Sequence, residues 1–147
     1  MSDSFDFDES HPRTVIVNYH SLMSDADFEA TLARFDHIMA SRSVRYVVIL
    51  NVLHSKMGPF SQARRQAEWM RDRAALMKSK LLGIAMVMPS AAIRGVMRVI
   101  TGIQPMPVTY SMVGTLQEAQ EWAAEQILKS PNPSSPNRAQ SKGAASQ

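Results

Sequence analysis

Short runs of apolar residues alternate along the chain with longer segments in which apolar residues recur every three or four positions. Three of these runs have the length and β-branched character of buried strands: residues 14–17 (TVIV), 44–50 (VRYVVIL) and 83–88 (GIAMVM). A fourth run, residues 107–110 (PVTY), predicts a strand at a sheet edge, because proline cannot donate a hydrogen bond to a ladder. The pattern therefore predicts four short strands.

The segments between these runs have the periodicity of helices that bury one face. Large apolar residues from Phe28 to Met39 follow one another at spacings of four, three and four, and Ser24 offers a capping hydroxyl in front of them. Small residues and methionines step along residues 61–80 in the same way. The sequence therefore predicts one helix from Asp25 to about residue 39 and a second over residues 61–80.

Two further helices are predicted in the second half of the chain. Ser90 is a candidate cap for a short helix over residues 91–101, and Gly102 is a candidate terminator. Thr115 and Glu118 form a capping box that opens a last helix. Strands and helices thus alternate throughout. This order predicts an α/β fold with a small, mainly parallel, four-stranded sheet and alternating helices.

The two ends of the chain differ in composition from the part between them. Residues 1–12 contain four acidic residues and no lysine or arginine, which predicts a disordered acidic tail. A short acidic-aromatic peptide that docks on a basic surface is the alternative interpretation. Residues 130–147 are rich in Ser, Pro, Asn and Ala, which predicts a second disordered tail. The folded domain is predicted over residues 13–129.

Composition excludes several classes of function. The chain has 147 residues and no cysteine, so disulfides, thiolate metal sites and a cysteine nucleophile are excluded. A net charge of +3 is too small to argue for a nucleic-acid partner. The N-terminus lacks the features of a secretory signal, and no apolar stretch approaches the ~20 residues of a transmembrane helix. We therefore expect a cytoplasmic protein without a transmembrane segment.

Histidines are the main candidates for chemistry. His20 and His54 follow predicted strands, at the edge where parallel sheets usually bind ligands. Ser55 adjoins His54, which leaves a Ser–His pair open, but neither a G-x-S-x-G elbow nor an acidic orienting residue accompanies it. Paired metal-ligand motifs and phosphate-binding loops are missing from the sequence, so no metal and no cofactor is predicted. A hydrolase is the weakest hypothesis.

Basic residues concentrate on two of the predicted helices. Arg64, Arg71 and Lys78 are spaced by seven and line one flank of the second helix. Arg94 and Arg98 are four apart and share a face of the third. This pattern indicates either ordinary solvated helix faces or a positive docking surface. Such a surface suits an acidic protein segment or anionic lipid headgroups.

The third predicted helix is apolar almost all round, with its two arginines as the main interruption. Methionine accounts for 11 of the 147 residues, which indicates either core filling or a pliable apolar groove. We predict a partner-binding surface on residues 93–106 and a second face in the loop from His54 to Ser61. The residues assigned to binding are Arg94, Arg98, Met97, Ile103, Met106, His54, Ser55 and Ser61.

Five segments carry a resemblance to a known family. They are residues 45–50 (RYVVIL), 67–69 (AEW), 83–90 (GIAMVMPS), 108–110 (VTY) and 118–123 (EAQEWA). With them, the stretch from Asp25 to Trp122 resembles the SpoIIAA-like members of the STAS superfamily, small α/β domains related to anti-sigma-factor antagonists. The resemblance implies a STAS-like fold and a non-enzymatic domain that switches partners.

In some members of that family the switch is serine phosphorylation or a small ligand. The phosphorylated serine of classical members lies in an Asp-Ser-Ser-Gly motif after the second strand. Here the matching region, residues 54–61, reads HSKMGPFS, and Ser55 and Ser61 flank the place without reproducing the motif. Control by phosphorylation is therefore not predicted.

Three hypotheses for function follow. The first is an intracellular bacterial signalling or scaffold domain, an adaptor that binds a protein partner through a basic-rimmed apolar surface and catalyses no reaction. The alternative is a domain that binds a small apolar ligand or an anionic lipid surface through the same helix. The third is the hydrolase. Nucleic acid is not expected as a partner, and a homodimer remains an option.

Overall fold

The computed structural model describes residues 4–52, 60–88, 90, 91, 94, 95, 98 and 106–130. The strands are β1 (Phe5–His11), β2 (Thr14–Tyr19), β3 (Tyr46–Asn51), β4 (Leu81–Val87) and β5 (Tyr110–Val113). The helices are α1 (Asp25–Ser41), α2 (Phe60–Asp72), α3 (Ala74–Lys80) and α4 (Leu116–Lys129). In addition, the described residues between 91 and 98 have helical backbone, which agrees with the short helix predicted there.

The strands form one five-stranded sheet in the order β1-β2-β3-β4-β5. β2, β3, β4 and β5 are parallel to one another, as the alternating pattern predicts. β1 is antiparallel to β2 and forms the additional edge of the sheet. The α/β class and the four parallel strands are confirmed, and the sheet is mixed because of the fifth strand.

β1 corrects the prediction of a disordered acidic tail over residues 1–12. Phe7 alternates with acidic neighbours and lies 5.1 Å, ring to ring, from Phe35 of α1. Glu9 forms ion pairs with Arg34 and Arg42, which supply the missing positive charge. An acidic strand is therefore stabilised by one apolar face and by arginines from elsewhere in the chain.

The helices divide the sheet into two cores. α1, α2 and α3 contribute Leu32, Ile38, Trp69 and Met77 to the first core, which includes Val48 of β3. α4 alone contributes helical residues to the second core, where Ala119 and Ala123 pack on β3 and β4. Small side chains let α4 approach the sheet closely.

Among the described residues, α4 packs mainly on β3, β4 and β5 and leaves the same face of β1 and β2 largely open. An open groove of about 190 Å³ lies there, and its lining includes Thr14, Ile16, Ala123 and Ile127. Within the described residues, α4 therefore covers part of this sheet face. The part beside it carries the polar side chains described below.

Three strands differ from the sequence prediction by one or two residues at their ends, and two further elements differ more. The predicted helix over residues 61–80 is divided at Arg73, whose φ of −114° and ψ of 14° separate α2 from α3. Trp69 of α2 and Met77 of α3 are both buried in spite of this break. The last strand begins at Tyr110 instead of residue 107, because Pro107 cannot donate to the ladder. The predicted tail over residues 131–147 lies outside the described residues.

Candidate functional site

A row of hydrogen-bonded polar side chains crosses the carboxyl edge of the sheet. The Nε2 of His20 lies 2.6 Å from Oδ1 of Asp6. Asn18 donates from Nδ2 to the other carboxylate oxygen of Asp6 at 3.3 Å, and Asn51 donates to Oδ1 of Asn18 at 2.9 Å. The row spans β1, β2 and β3 on the face that α4 leaves open.

The row joins His20, which was expected at this edge, to Asp6, which the sequence reasoning missed. His20 was expected at this edge because it follows a strand, and the structure places it there. Its partner Asp6 was assigned to a disordered tail, so the pair was not predicted. The alternation of Phe5 and Phe7 with acids was the available signal for a strand that brings Asp6 beside His20.

The loop that continues this edge contains two residues assigned to binding. His54 and Ser55 lie outside the described residues, so the predicted Ser–His pair stays a prediction. Ser61 lies in the first turn of α2 and is exposed. Its neighbour Gln62 is buried and donates at 3.0 Å to the carbonyl of Met23. The beginning of α2 is therefore fixed against the beginning of α1.

The arginine pair of the third predicted helix is described by the structure. Arg94 is half-buried and donates from Nη1 to the carbonyl oxygen of Met88, at 2.6 Å, just beyond the end of β4. Arg98 is exposed. The first arginine therefore anchors the segment to the sheet, and the second presents its charge to solvent.

Of the apolar residues assigned to the same surface, the structure describes Met106. Met106 packs against the first core and is half-buried. Met97 and Ile103 lie outside the described residues. Part of the methionine content thus fills the core, as one of the two sequence interpretations holds.

Two arginines beside the basic flank predicted on the second helix are neutralised by acids. Arg65 donates to both carboxylate oxygens of Glu29, and Arg73 does the same with Asp36. Both acids belong to α1, so the two arginines connect α1 to the segment containing α2 and α3. Arg64 and Arg71 are exposed on the same helix. The positive surface is therefore narrower than the sequence pattern indicates.

The Arg65–Glu29 contact shifts the pKa of both side chains. The hydrogen bonds from Arg65 lower the pKa of Glu29, and the same bonds raise the pKa of Arg65. In strand β1, hydrogen bonds from Ser10 lower the pKa of Asp8. These carboxylates are held in the charged form.

Among the described residues, no three His, Asp or Glu residues group closely enough to hold a metal ion. No helix within the described ranges has the length and apolar character to span a membrane.

Comparisons with known proteins identify the architecture. No protein-family model and no curated protein sequence matches the chain. Among solved structures, the unphosphorylated form of the anti-sigma factor antagonist SpoIIAA matches with a TM-score of 0.57 and 17% sequence identity. The match covers 80% of this chain and 94% of SpoIIAA. The chain has the SpoIIAA-like fold.

A second structure supports the SpoIIAA-like assignment. It is an uncharacterized protein of the DUF3478 family from Shewanella loihica PV-4, which itself has a SpoIIAA-like fold. The TM-score is 0.61 at 11% identity, over 84% of this chain and 98% of that one. The STAS-like fold that the sequence resemblance implies is therefore confirmed for the SpoIIAA-like domain.

Proposed function

We propose that this protein is a regulatory domain that binds a partner protein and catalyses no reaction. The observation that carries the proposal is the SpoIIAA-like fold, which extends over four fifths of the chain. SpoIIAA is an anti-sigma factor antagonist, a protein that acts on another protein. A likeness of fold supports the same class of activity here, and the partner's identity depends on side chains that differ.

The proposed partner surface lies where the chain leaves the carboxyl edge of β4, at the described helical residues 91, 94, 95 and 98. Arg94 fixes this segment through its bond to the Met88 carbonyl, and exposed Arg98 offers a cation to the partner. A positioned cation at the rim of an apolar surface favours a specific register between two proteins. The apolar part of the surface is assigned to Met97, Ile103 and Met106.

The loop from His54 to Ser61 is the proposed second face of the same site. It follows β3, and exposed Ser61 marks its end. Because β3 and β4 are neighbouring parallel strands, residues following their carboxyl ends meet at one edge of the sheet. We therefore assign both predicted faces to one proposed surface.

Charge reversal at Arg98 tests the proposal. Arg98→Glu is preferred to Arg94→Glu because the second change also removes the bond to Met88. We expect Arg98→Glu to abolish a stoichiometric partner captured from native lysate, while circular dichroism and the melting temperature stay unchanged. The matched control is Arg64→Glu on α2, another exposed arginine, which should retain the partner.

Two outcomes contradict the proposal. Equal loss of the partner in Arg98→Glu and in the control would mean that overall charge decides binding. Recovery of a bound lipid without a protein partner, detected by native mass spectrometry, would favour the alternative of a small apolar ligand or anionic lipid surface.

A further inference from the structure

The amino edge of the sheet, opposite the proposed partner surface, gathers positive side chains from three chain segments. The segments are the turn between β1 and β2, the connection from α1 to β3, and the end of α3. We call this group the amino-edge cluster. Its members are Arg13, Arg42, Arg45, Lys78 and Lys80.

Hydrogen bonds to backbone carbonyls hold the cluster together. Arg13 donates from Nε to the carbonyl oxygen of Arg45 at 3.1 Å. Arg45 in turn donates from Nη2 to the carbonyl oxygens of Lys78 at 3.2 Å and Leu81 at 3.0 Å. Each side chain thus bonds to the segment that carries the next cation.

Two further bonds to backbone carbonyls connect Lys80 and Arg42 to the same group. Lys80 donates from Nζ to the carbonyl oxygen of Arg42 at 2.9 Å. Arg42 donates from Nη1 to the carbonyl oxygen of Pro12 at 2.8 Å, next to Arg13. The cations are therefore fixed close to one another by neutral acceptors, which orient them without cancelling their charge.

Nearby negative charge does not balance the cluster. The C-terminal ends of three helices lie at this edge, where the C-cap residues are Arg42 for α1, Leu81 for α3 and Ser130 for α4. The hydroxyl of Ser130 accepts a hydrogen bond from Arg13 at 3.2 Å. Three helix C-termini together contribute about −1.5 charges. Glu9 lies 3.8 Å from Arg42 and is shared with Arg34. With Glu9 counted in full, the five cations leave a local excess of about 2.5 positive charges.

Part of the edge is concave. An open groove of about 280 Å³ has Arg45 and Lys78 on one side and Val108 and Thr109 on the other. Both cationic residues are exposed. Exposed Val44 adds an apolar contact beside Arg45. A partner here meets cations, a hydroxyl and small apolar side chains together.

We propose that the amino-edge cluster is a docking surface for an acidic segment of a partner protein, distinct from the surface around Arg98. Charge complementarity argues for an anionic partner. Single-stranded nucleic acid is disfavoured because the groove lining has no aromatic residue on which bases can stack. A membrane is disfavoured because Val44 is the one large apolar side chain exposed within the described connection from α1 to β3.

Binding of a short fluorescein-labelled oligoglutamate peptide to the full chain, followed by fluorescence anisotropy, tests this surface. We expect binding at low salt that weakens as salt screens the charges. The variant Arg45→Gln/Lys78→Gln should bind about tenfold more weakly. The matched control Arg64→Gln/Arg71→Gln removes the same charge from exposed positions on α2 and should change affinity less than about twofold.

A second variant keeps the test decisive if loss of the Arg45 bonds lowers stability. Lys78→Gln leaves the carbonyl acceptor in place and should weaken binding about threefold. The proposal is overturned if the wild-type chain does not bind the peptide, if Lys78→Gln binds as the wild type does, or if both double variants lose affinity equally. Vesicles containing phosphatidylserine that bind through Arg45 and Lys78, without peptide binding, would overturn it in favour of a lipid surface.

Discussion

Trp122 of α4 lies directly over Gly83 of β4. A Cβ atom built on Gly83 would come within 2.6 Å of Cη2 of Trp122 and 3.1 Å of the carbonyl oxygen of Thr109. The indole therefore occupies the space of the missing side chain. This contact sets how closely α4 approaches the sheet and joins the second core to the segment before β5.

Gly83→Ala should destabilise the protein by about 2 kcal/mol, because the added methyl group must displace a large rigid ring or a backbone carbonyl. Urea unfolding measures the change. Gly95→Ala is the matched control, since no described heavy atom lies within 4 Å of its added Cβ. Wild-type stability for Gly83→Ala would show that α4 can shift without cost.

Arg73→Lys should cost about 1 kcal/mol although it keeps the charge. Arg73 donates to both carboxylate oxygens of Asp36, and its guanidinium carbon lies 4.9 Å from the ring centroid of Trp69. Lysine cannot reproduce the bidentate bond and the planar stacking together. Denaturant unfolding of Arg73→Lys, Asp36→Asn and the double variant measures the coupling.

The comparison for this change is Arg65→Lys. Arg65 also pairs with an acid of α1, Glu29, but both side chains are more exposed and no ring lies beneath the guanidinium among the described contacts. The expected loss there is below about 0.5 kcal/mol. An equal loss for the two substitutions would show that stacking on Trp69 contributes nothing.

Phe7→Ala should lower the free energy of unfolding by about 2 kcal/mol, because Phe7 packs edge-to-face on Phe35 at the first core. Chemical denaturation measures this loss. Leu22→Ala removes a side chain that is 53% exposed and should have almost no effect. A Phe7→Ala variant as stable as Leu22→Ala would contradict the assignment of β1 to the folded domain.

Tyr46 predicts how stability changes at alkaline pH. Burial raises the pKa of its hydroxyl to about 12, against about 10 for tyrosine in an unfolded chain. Because the folded state holds this proton more tightly than the unfolded chain does, stability is unaffected by Tyr46 ionisation below about pH 10. The free energy of unfolding then falls as the pH rises toward 12, by up to about 1.4 kcal/mol per pH unit.

Tyr46→Phe should remove that component of the alkaline loss. Urea unfolding of both proteins at about pH 8 and about pH 11 gives the four free energies needed. The difference between wild type and variant should narrow or reverse at the higher pH. A difference that is the same at both pH values would mean that Tyr46 ionises as readily in the folded protein as in the unfolded chain.

Local signals predicted much of the fold. Ser24 accepts from the backbone N–H of Asp27, and Thr115 accepts from that of Glu118, as the two capping patterns predict. Buried strands were found because their apolar runs are nearly continuous. β1 was missed because its acids suggested a solvated tail, and the arginines that compensate them are more than 20 residues away in sequence.

The candidate site was harder to predict than the fold. His20 could be placed at the carboxyl edge from the end of a strand. Its bond to Asp6 depends on the register of the β1–β2 pair, which sets Asp6 opposite Asn18. The amino-edge cluster also arises only in three dimensions, since Arg13, Arg45 and Lys80 come from separate segments of the chain. Residue spacing along one element carries no information about such groups.

The sheet order repeats the chain order, and this has a consequence for how the protein folds. Each strand pairs with the strand that precedes it in sequence, so every ladder can form as soon as its second strand is available. Pairing in chain order keeps each loop shorter than a crossover that skips a strand would make it, which limits the entropy lost in closing the loop. The second core must wait for Ala119 and Ala123 of α4. We therefore expect a nascent chain to bury one face of its sheet well before the other, with α4 docking as the closing event.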